Sequence, residues 1–228
     1  MRLRNFWLGL GLMLAGFAAS QPAGAEWQAG VYGGYTLTHN SDIDYSGPAL
    51  GNRTFFDVRW KGEALEMPPY YGLRLTRWFE QVPGWGVQVD FSHTKAAADL
   101  DARLRPSFSR LEFTNGLNIA TLNGVYRWAA IGRLTPYAGA GLGIIVPHVE
   151  VTTPGYESTR TFEYQLAGMA AVGFGGVDFA ITDSFSVFGE YKLSYSRVEA
   201  DLVGGGTLST DLVTHHFNLG LNYRFDLF

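Results

Sequence analysis

The sequence predicts an all-β chain whose strands close into an eight-stranded antiparallel transmembrane β-barrel. Three observations carry that prediction. The first is alternation of period two: Phe217, Leu219, Leu221, Tyr223, Phe225 and Leu227 share one face of a segment whose other face holds Asn218, Gly220, Asn222 and Arg224, the pattern of a strand with one apolar surface. The second is composition. The 228 residues include 29 Gly and 15% aromatics but only 17% charged residues, below the roughly 25% of a soluble domain. The third is that no run of about 18 apolar residues follows the first segment of the chain, so strands rather than helices are left to cross a bilayer.

In chain order, the first segment is a targeting signal. Arg2 and Arg4 form a basic start, Phe6 to Ala19 an apolar run, and Ala23-Gly24-Ala25 a cleavage site of small residues. Residues 1–25 therefore read as a cleaved secretory signal peptide and 26–228 as the mature barrel domain. The plain alternative is a membrane anchor, but the apolar run is short for a spanning helix and a cleavage motif follows it. The absence of Cys rules out disulfides, thiolate metal sites, a Cys nucleophile and a lipidated Cys. A net charge of −4 argues against nucleic acid as a partner.

Eight strands are expected at 26–38, 68–79, 84–96, 116–128, 133–148, 162–181, 184–198 and 211–227. Each has about the ten residues that a tilted strand needs to cross hydrocarbon. The connections 80–83, 129–132 and 182–183 are tight, and 39–67, 97–115, 149–161 and 199–210 are long. Short turns alternating with long loops on an even strand count mark a barrel of the bacterial outer membrane, with the turns and both chain ends in the periplasm. Unpaired backbone groups are not tolerated in lipid, so the sheet must close. Its apolar face then meets lipid and its polar face fills a lumen too narrow for large solutes. Trp27, Trp85, Trp128, Tyr137, Phe162 and Tyr195 suit interfacial girdles. Phe228 is terminal but out of phase with the lipid-facing Phe225 and Leu227. A soluble periplasmic barrel shows the same alternation with its faces reversed, and alternation alone does not separate the two.

Within this frame the first, third and fifth strands end at the outer rim, at His39, His93 and His148, and the last begins there at His215 and His216. Histidine is the common neutral metal ligand and the common acid–base group near neutral pH. Carboxylates gather at the same end: Glu63, Glu66, Glu112, Glu150 and Glu163, with His148 and Glu150 spaced to share one strand face. His and carboxylate together suit a divalent ion or an acid–base pair. The plain reading of each is ordinary loop solvation, and the spacing matches no known metal signature. Asp90, Glu190, Lys192, His216 and Arg224 fall on the inward face, as a charged plug. Gly139, Gly141 and Gly143, with Gly173 and Gly175 on the next strand, are expected to line a groove.

Several blocks go beyond what alternation requires: Glu66-Met67-Pro68-Pro69-Tyr70-Tyr71-Gly72, Phe91-Ser92-His93-Thr94-Lys95, Leu111-Glu112-Phe113-Thr114-Asn115-Gly116-Leu117-Asn118, and Pro147-His148-Val149-Glu150. With Glu26-Trp27, Val31-Tyr32-Gly33-Gly34, Phe188-Gly189-Glu190-Tyr191-Lys192 and Gly205-Gly206-Thr207-Leu208, they make the chain resemble the outer-membrane lipid A oxidases over nearly its whole mature length. The resemblance implies an enzyme that oxidises the reducing-end glucosamine of lipid A to an aminogluconate unit, consuming dioxygen and releasing peroxide, with no organic cofactor. Side chains alone are poor at oxygen chemistry, so a divalent metal ion is expected, with His39, His93, His148 and Glu150 as ligands. The catalytic set is then His39, His93, Glu112, His148 and Glu150. Glu66, Tyr70, Lys95 and Arg110 are expected to bind substrate, and Arg53, Lys61, Arg103, Arg105 and Arg160 stand in or beside the same loops for its phosphates. The partner is lipid A or lipopolysaccharide of the outer leaflet, and the protein a monomer.

Two alternatives stand beside this one. A lipid A deacylase would use a Ser-His pair on the outer wall; Ser92 and His93 are adjacent, so their side chains point to opposite faces and form no local dyad. A non-enzymatic barrel with a structural or adhesive role would tolerate replacement of His39, His93 and His148.

Overall fold

The computed structural model describes residues 26–226. Residues 1–25, expected as the signal peptide, and Leu227 and Phe228 lie outside the described residues. Eight strands form a closed antiparallel ring: β1 (Trp27–Thr38), β5 (Tyr71–Trp78), β6 (Trp85–Ala98), β7 (Arg110–Arg127), β8 (Leu134–Thr152), β10 (Gly168–Ala180), β11 (Phe185–Asp201) and β12 (Thr207–Phe225). β12 pairs back onto β1 from Trp27↔Phe225 to Thr38↔Thr214, and this seam leaves the ring no open edge. The expected number of ring strands therefore stands, and tight turns follow β5, β7 and β10 as predicted.

The outer connections differ from expectation. Residues 39–67 were expected as loop but carry a hairpin, β2 (Ser41–Gly47) with β3 (Gly51–Val58), and the short β4 (Trp60–Lys61). β2 extends the sheet beside β12, and β4 pairs with Ala97 and Ala98 of β6. The expected sixth strand, 162–181, is two: β9 (Thr161–Tyr164), paired with β8, and β10, separated by residues 165–167. The expected long loop 199–210 shrinks to residues 202–206, because β11 and β12 continue pairing as far as Asp201↔Thr207.

Two buried regions fill the ring. In its lower part the core is polar. Arg74 makes a two-point bond to Glu190, at 2.8 and 2.9 Å, and Lys192 lies 2.5 Å from Asp90. Tyr32 donates to Asp90, Tyr137 and Asn218 donate to Glu190, and Tyr70 donates to Asn218. Asp90, Glu190, Lys192 and His216 thus face inward as expected, with partial burial for Arg224, which bonds Asp178. A cavity of about 20 Å³ among Gln28, Arg74, Trp78, Asp178 and Arg224 is room for about one water. In the upper part the core is apolar, with Ile43, Trp60, Phe108, Phe113, Val149, Val198, Leu208 and Leu212 packed together.

Two expectations about the wall are corrected. Tyr137 is buried in the lumen on Glu190 and is not a girdle residue. Gly173 and Gly175 face outward, because Val172 and Phe174 take the inward phase of β10; Phe174 pairs with Gly139 and occupies the space beside it, so no groove forms.

Candidate functional site on the outer wall

Above the lipid-facing belt, the outward surface of β6, β7, β8 and β9 turns polar. Glu112 of β7 pairs in register with Glu150 of β8, so both carboxylates face outward, while their neighbours Leu111, Phe113, Val149 and Val151 are buried inward. Two facing carboxylates repel unless cations stand between them. Arg110 supplies one, 2.5 Å from Glu112 and 3.4 Å from Glu150, and Arg160 supplies the second through a direct bond to Glu150. The Arg160 guanidinium also lies 4.3 Å above the ring of Phe162. His148, two residues before Glu150, is buried edge-on between the rings of Phe162 and Tyr164, at 4.4 and 4.8 Å.

His93 lies on the same outer wall. It stacks on Tyr71 at 5.1 Å, and its Nδ1 is 2.9 Å from the Asn118 side-chain oxygen. Its Nε2 is buried with no hydrogen-bond partner among the described residues, as is Nδ1 of His148. Gly116 packs against this ring: its φ is +111°, and a Cβ there would stand 2.6 Å from the imidazole. Lys95 follows His93 on the outward phase and ties down the segment before β5 by donating to the carbonyls of Glu66 and Met67, at 3.0 and 3.2 Å. That segment carries Glu63, whose carboxyl burial and the nearby charges of Glu66 and Glu112 raise above the usual carboxylate range.

The predicted site residues therefore divide. His93, Lys95, Arg110, Glu112, His148 and Glu150 share the outer wall of consecutive strands, with Glu66 on the segment that Lys95 holds. Tyr70 does not join them, because it points inward onto Asn218 while Tyr71 takes the outward phase. His39 is also apart. It bonds His215 across the β1–β12 seam, with Nε2 to Nε2 at 2.6 Å. His216 is buried in the lumen on Ser194, at 2.9 Å. Among the described residues no three His, Asp or Glu side chains gather to hold a metal ion, and the four predicted ligands His39, His93, His148 and Glu150 do not converge. The expected loop cations have partners: Lys61 bonds Asp99, Arg103 bonds Asp101, and Arg105 bonds the Leu100 carbonyl. Sequence reasoning set Arg160 beside the loops for phosphates and Phe162 in a girdle, and missed their contacts with Glu150 and His148 and the bond between Asn118 and His93. Phe162 stands out only once β9 is seen to pair with β8, since the sequence places it in an uninterrupted sixth strand.

Residues 9–225 match the family described as outer membrane protein beta-barrel domain. The chain belongs to this family. It is accordingly a barrel of the outer membrane. No curated protein matches the sequence. Among solved structures it is similar in fold to Neisserial surface protein A, at 14% identity over 90% of this chain and 100% of that one, with a TM-score of 0.48. It is similar to the outer membrane protein OprG from Pseudomonas aeruginosa, at 11% identity over 89% and 97%, with a TM-score of 0.47. It is similar also to the outer membrane protein AlkL, at 15% identity over 94% and 98%, with a TM-score of 0.45.

Proposed function

We propose that this barrel is an enzyme that modifies lipid A, oxidising the reducing-end glucosamine to an aminogluconate unit and acting as a monomer on lipopolysaccharide of the outer leaflet. The observation that carries the reading is the placement of Arg110, Glu112, His148, Glu150 and Arg160 on the outside of the wall, where a lipid headgroup lies, rather than in the lumen. A soluble substrate would be served as well by a lumenal or loop site; a substrate anchored by its acyl chains is served by this one.

The reaction balances as follows. The anomeric C–H and O–H of a free hemiacetal lose two hydrogens, dioxygen takes them up as hydrogen peroxide, and water opens the lactone to the acid. Only a glucosamine whose anomeric hydroxyl is free qualifies. Arg110 and Arg160 are placed to meet anionic groups of the headgroup as the Glu112 and Glu150 carboxylates give them up. His93, whose buried Nε2 has no hydrogen-bond partner among the described residues, is the candidate to take the hydroxyl proton once the substrate reaches it. Oxygen chemistry normally calls for a metal or organic cofactor, and a divalent ion stays part of the proposal. No step is derived through it, because the predicted ligands do not converge.

The test is mass spectrometry of lipid A incubated with the refolded barrel and oxygen, with and without chelator and divalent metal supplements. A gain of about 16 Da, one oxygen atom in the net chemistry, with peroxide release and a loss of at least tenfold in His93→Ala, is the expected result. Loss of an acyl chain would replace the reading with hydrolysis, and unchanged lipid A under every supplement would replace it with a structural or adhesive role.

A further inference from the structure

On the opposite side of the ring, three side chains from adjacent segments of the wall meet where the apolar belt ends. β12 contributes His215, β11 contributes Tyr191, and His39 follows directly on Thr38, the last residue of β1. The register sets this up: His215 stands opposite Leu37 of β1 and Leu193 of β11, so His39 and Tyr191 are its diagonal neighbours on either side. The two imidazoles stack at 4.7 Å with 29° between their planes, and their Nε2 atoms are 2.6 Å apart. The Tyr191 hydroxyl is 2.6 Å from Nδ1 of His215.

We infer that His39 and His215 form a binding site for a borderline divalent transition-metal ion of the zinc, nickel or copper class, with Tyr191 orienting the second ligand. Two converging Nε2 atoms can hold one proton between them or one metal ion in its place. A metal-bound imidazole typically hands its other ring N–H to an acceptor that fixes tautomer and ring plane. His215 has that acceptor in Tyr191: with Nδ1–H donated to the hydroxyl oxygen, Nε2 keeps its lone pair for a ligand. Imidazole nitrogens bind zinc at about 2.0–2.1 Å, which puts two of them about 3.3 Å apart in tetrahedral geometry and about 2.9 Å apart at right angles. The observed 2.6 Å is shorter than either, so the rings part by about 0.3–0.7 Å to admit the ion.

The surroundings suit such a site. His39 is exposed and His215 half-buried, so an ion has access, and two protein ligands leave its other positions open to water or to oxygen atoms of a lipid headgroup. His215 sits ten residues along the seam from Phe225, and His39 twelve from Trp27, the aromatic pair at the end of the barrel that carries the tight turns. For tilted strands this rise is about 25 Å, the height of the apolar band. The site thus lies level with the outer headgroups. It involves neither Glu150 nor His148, and it stands or falls apart from the oxidase reading.

The test uses the untagged mature barrel refolded in detergent, titrated with Zn²⁺, Ni²⁺ and Cu²⁺ by calorimetry. One ion per chain, saturating below about 100 µM and tightest for copper, is expected. His39→Ala and His215→Ala each abolish it, Tyr191→Phe weakens it by about 10–100-fold, and His148→Ala leaves it unchanged. Electron paramagnetic resonance of the copper form reads the ligands directly: two imidazole nitrogens in the wild type, and no protein-bound copper signal in either alanine variant. The absence of saturable binding, binding that survives His215→Ala, or binding lost in His148→Ala overturns the inference.

Discussion

On β11, the inward side chains Glu190, Lys192, Ser194 and Ser196 give way to Val198 and Ala200, while the outward Tyr191, Leu193 and Tyr195 give way to Arg197, Glu199 and Asp201. β12 changes in the same sense between His216 and Leu212 on its inward face, and β8 on its outward face between Ile144 and Glu150. The barrel thus has two zones built from one uninterrupted alternation with opposite polarity. In the lower zone lipid surrounds the wall, so apolar residues face out and the charges pair inside, as Arg74 with Glu190 and Lys192 with Asp90. In the upper zone water surrounds it, so Phe113, Val149 and Leu212 turn inward and the charges face out. The difference teaches that the solvent outside, not the strand, decides which face is apolar. The level of the switch marks the outer membrane boundary, and both polar groups on the wall, His39 with His215 and His148 with Glu150, stand at it.

The comparison can be broken first in the lower zone. Arg74→Ala leaves Glu190 buried without its cation and is expected to destabilise the barrel by about 3–5 kcal/mol. The double replacement of Arg74 and Glu190 by Leu should cost less than the single one, read by denaturant unfolding in detergent. A charge on the outward face is the next probe. Leu221→Arg, in the lipid belt, should cost about 2–4 kcal/mol, whereas Glu199→Arg, on the same face but above the boundary, should stay within about 0.5 kcal/mol. Equal costs would remove the boundary from where the polarity switches.

The smallest effect concerns the segment before β5 that Lys95 holds. Glu63 has its pKa raised by burial, then by Glu66 and Glu112. An acid with a raised pKa binds its proton more tightly in the folded state, so the unfolded state holds fewer protons and stability falls as pH rises through the carboxylate range. Hydrogen exchange in residues 62–70 should therefore slow as pH is lowered toward the ordinary glutamate value, and Glu63→Gln should flatten that dependence.

Strand positions in the lower zone were legible because both signals are local: period two, and one apolar face. Phe185 to Tyr195 and Phe217 to Phe225 show them without reference to anything else. The upper extensions were less legible for the same reason. Leu208 and Leu212 are inward, out of phase with the lipid-facing Phe217 and Leu219, so the apolar rhythm of the outward face stops at the boundary although the strand continues. The hairpin of β2 and β3 left a trace in the alternation of Asp42, Ile43, Asp44 and Tyr45. Within the site, the shared face of Glu150 and His148 followed from their spacing, and so did the opposite facing of Ser92 and His93. The partners did not. Arg160 reaches Glu150 only because β9 folds back on β8, and His39 meets His215 across 176 residues of sequence.

The sequence by itself determined an all-β chain, the number of crossing strands and the charges that go inside, since these depend on the nature and spacing of neighbouring residues. Only the tertiary structure decided which outward side chains meet. Such meetings depend on the register between strands distant in the chain, set by closure of the ring, and a shift of one residue would turn every side chain of a strand to the other face.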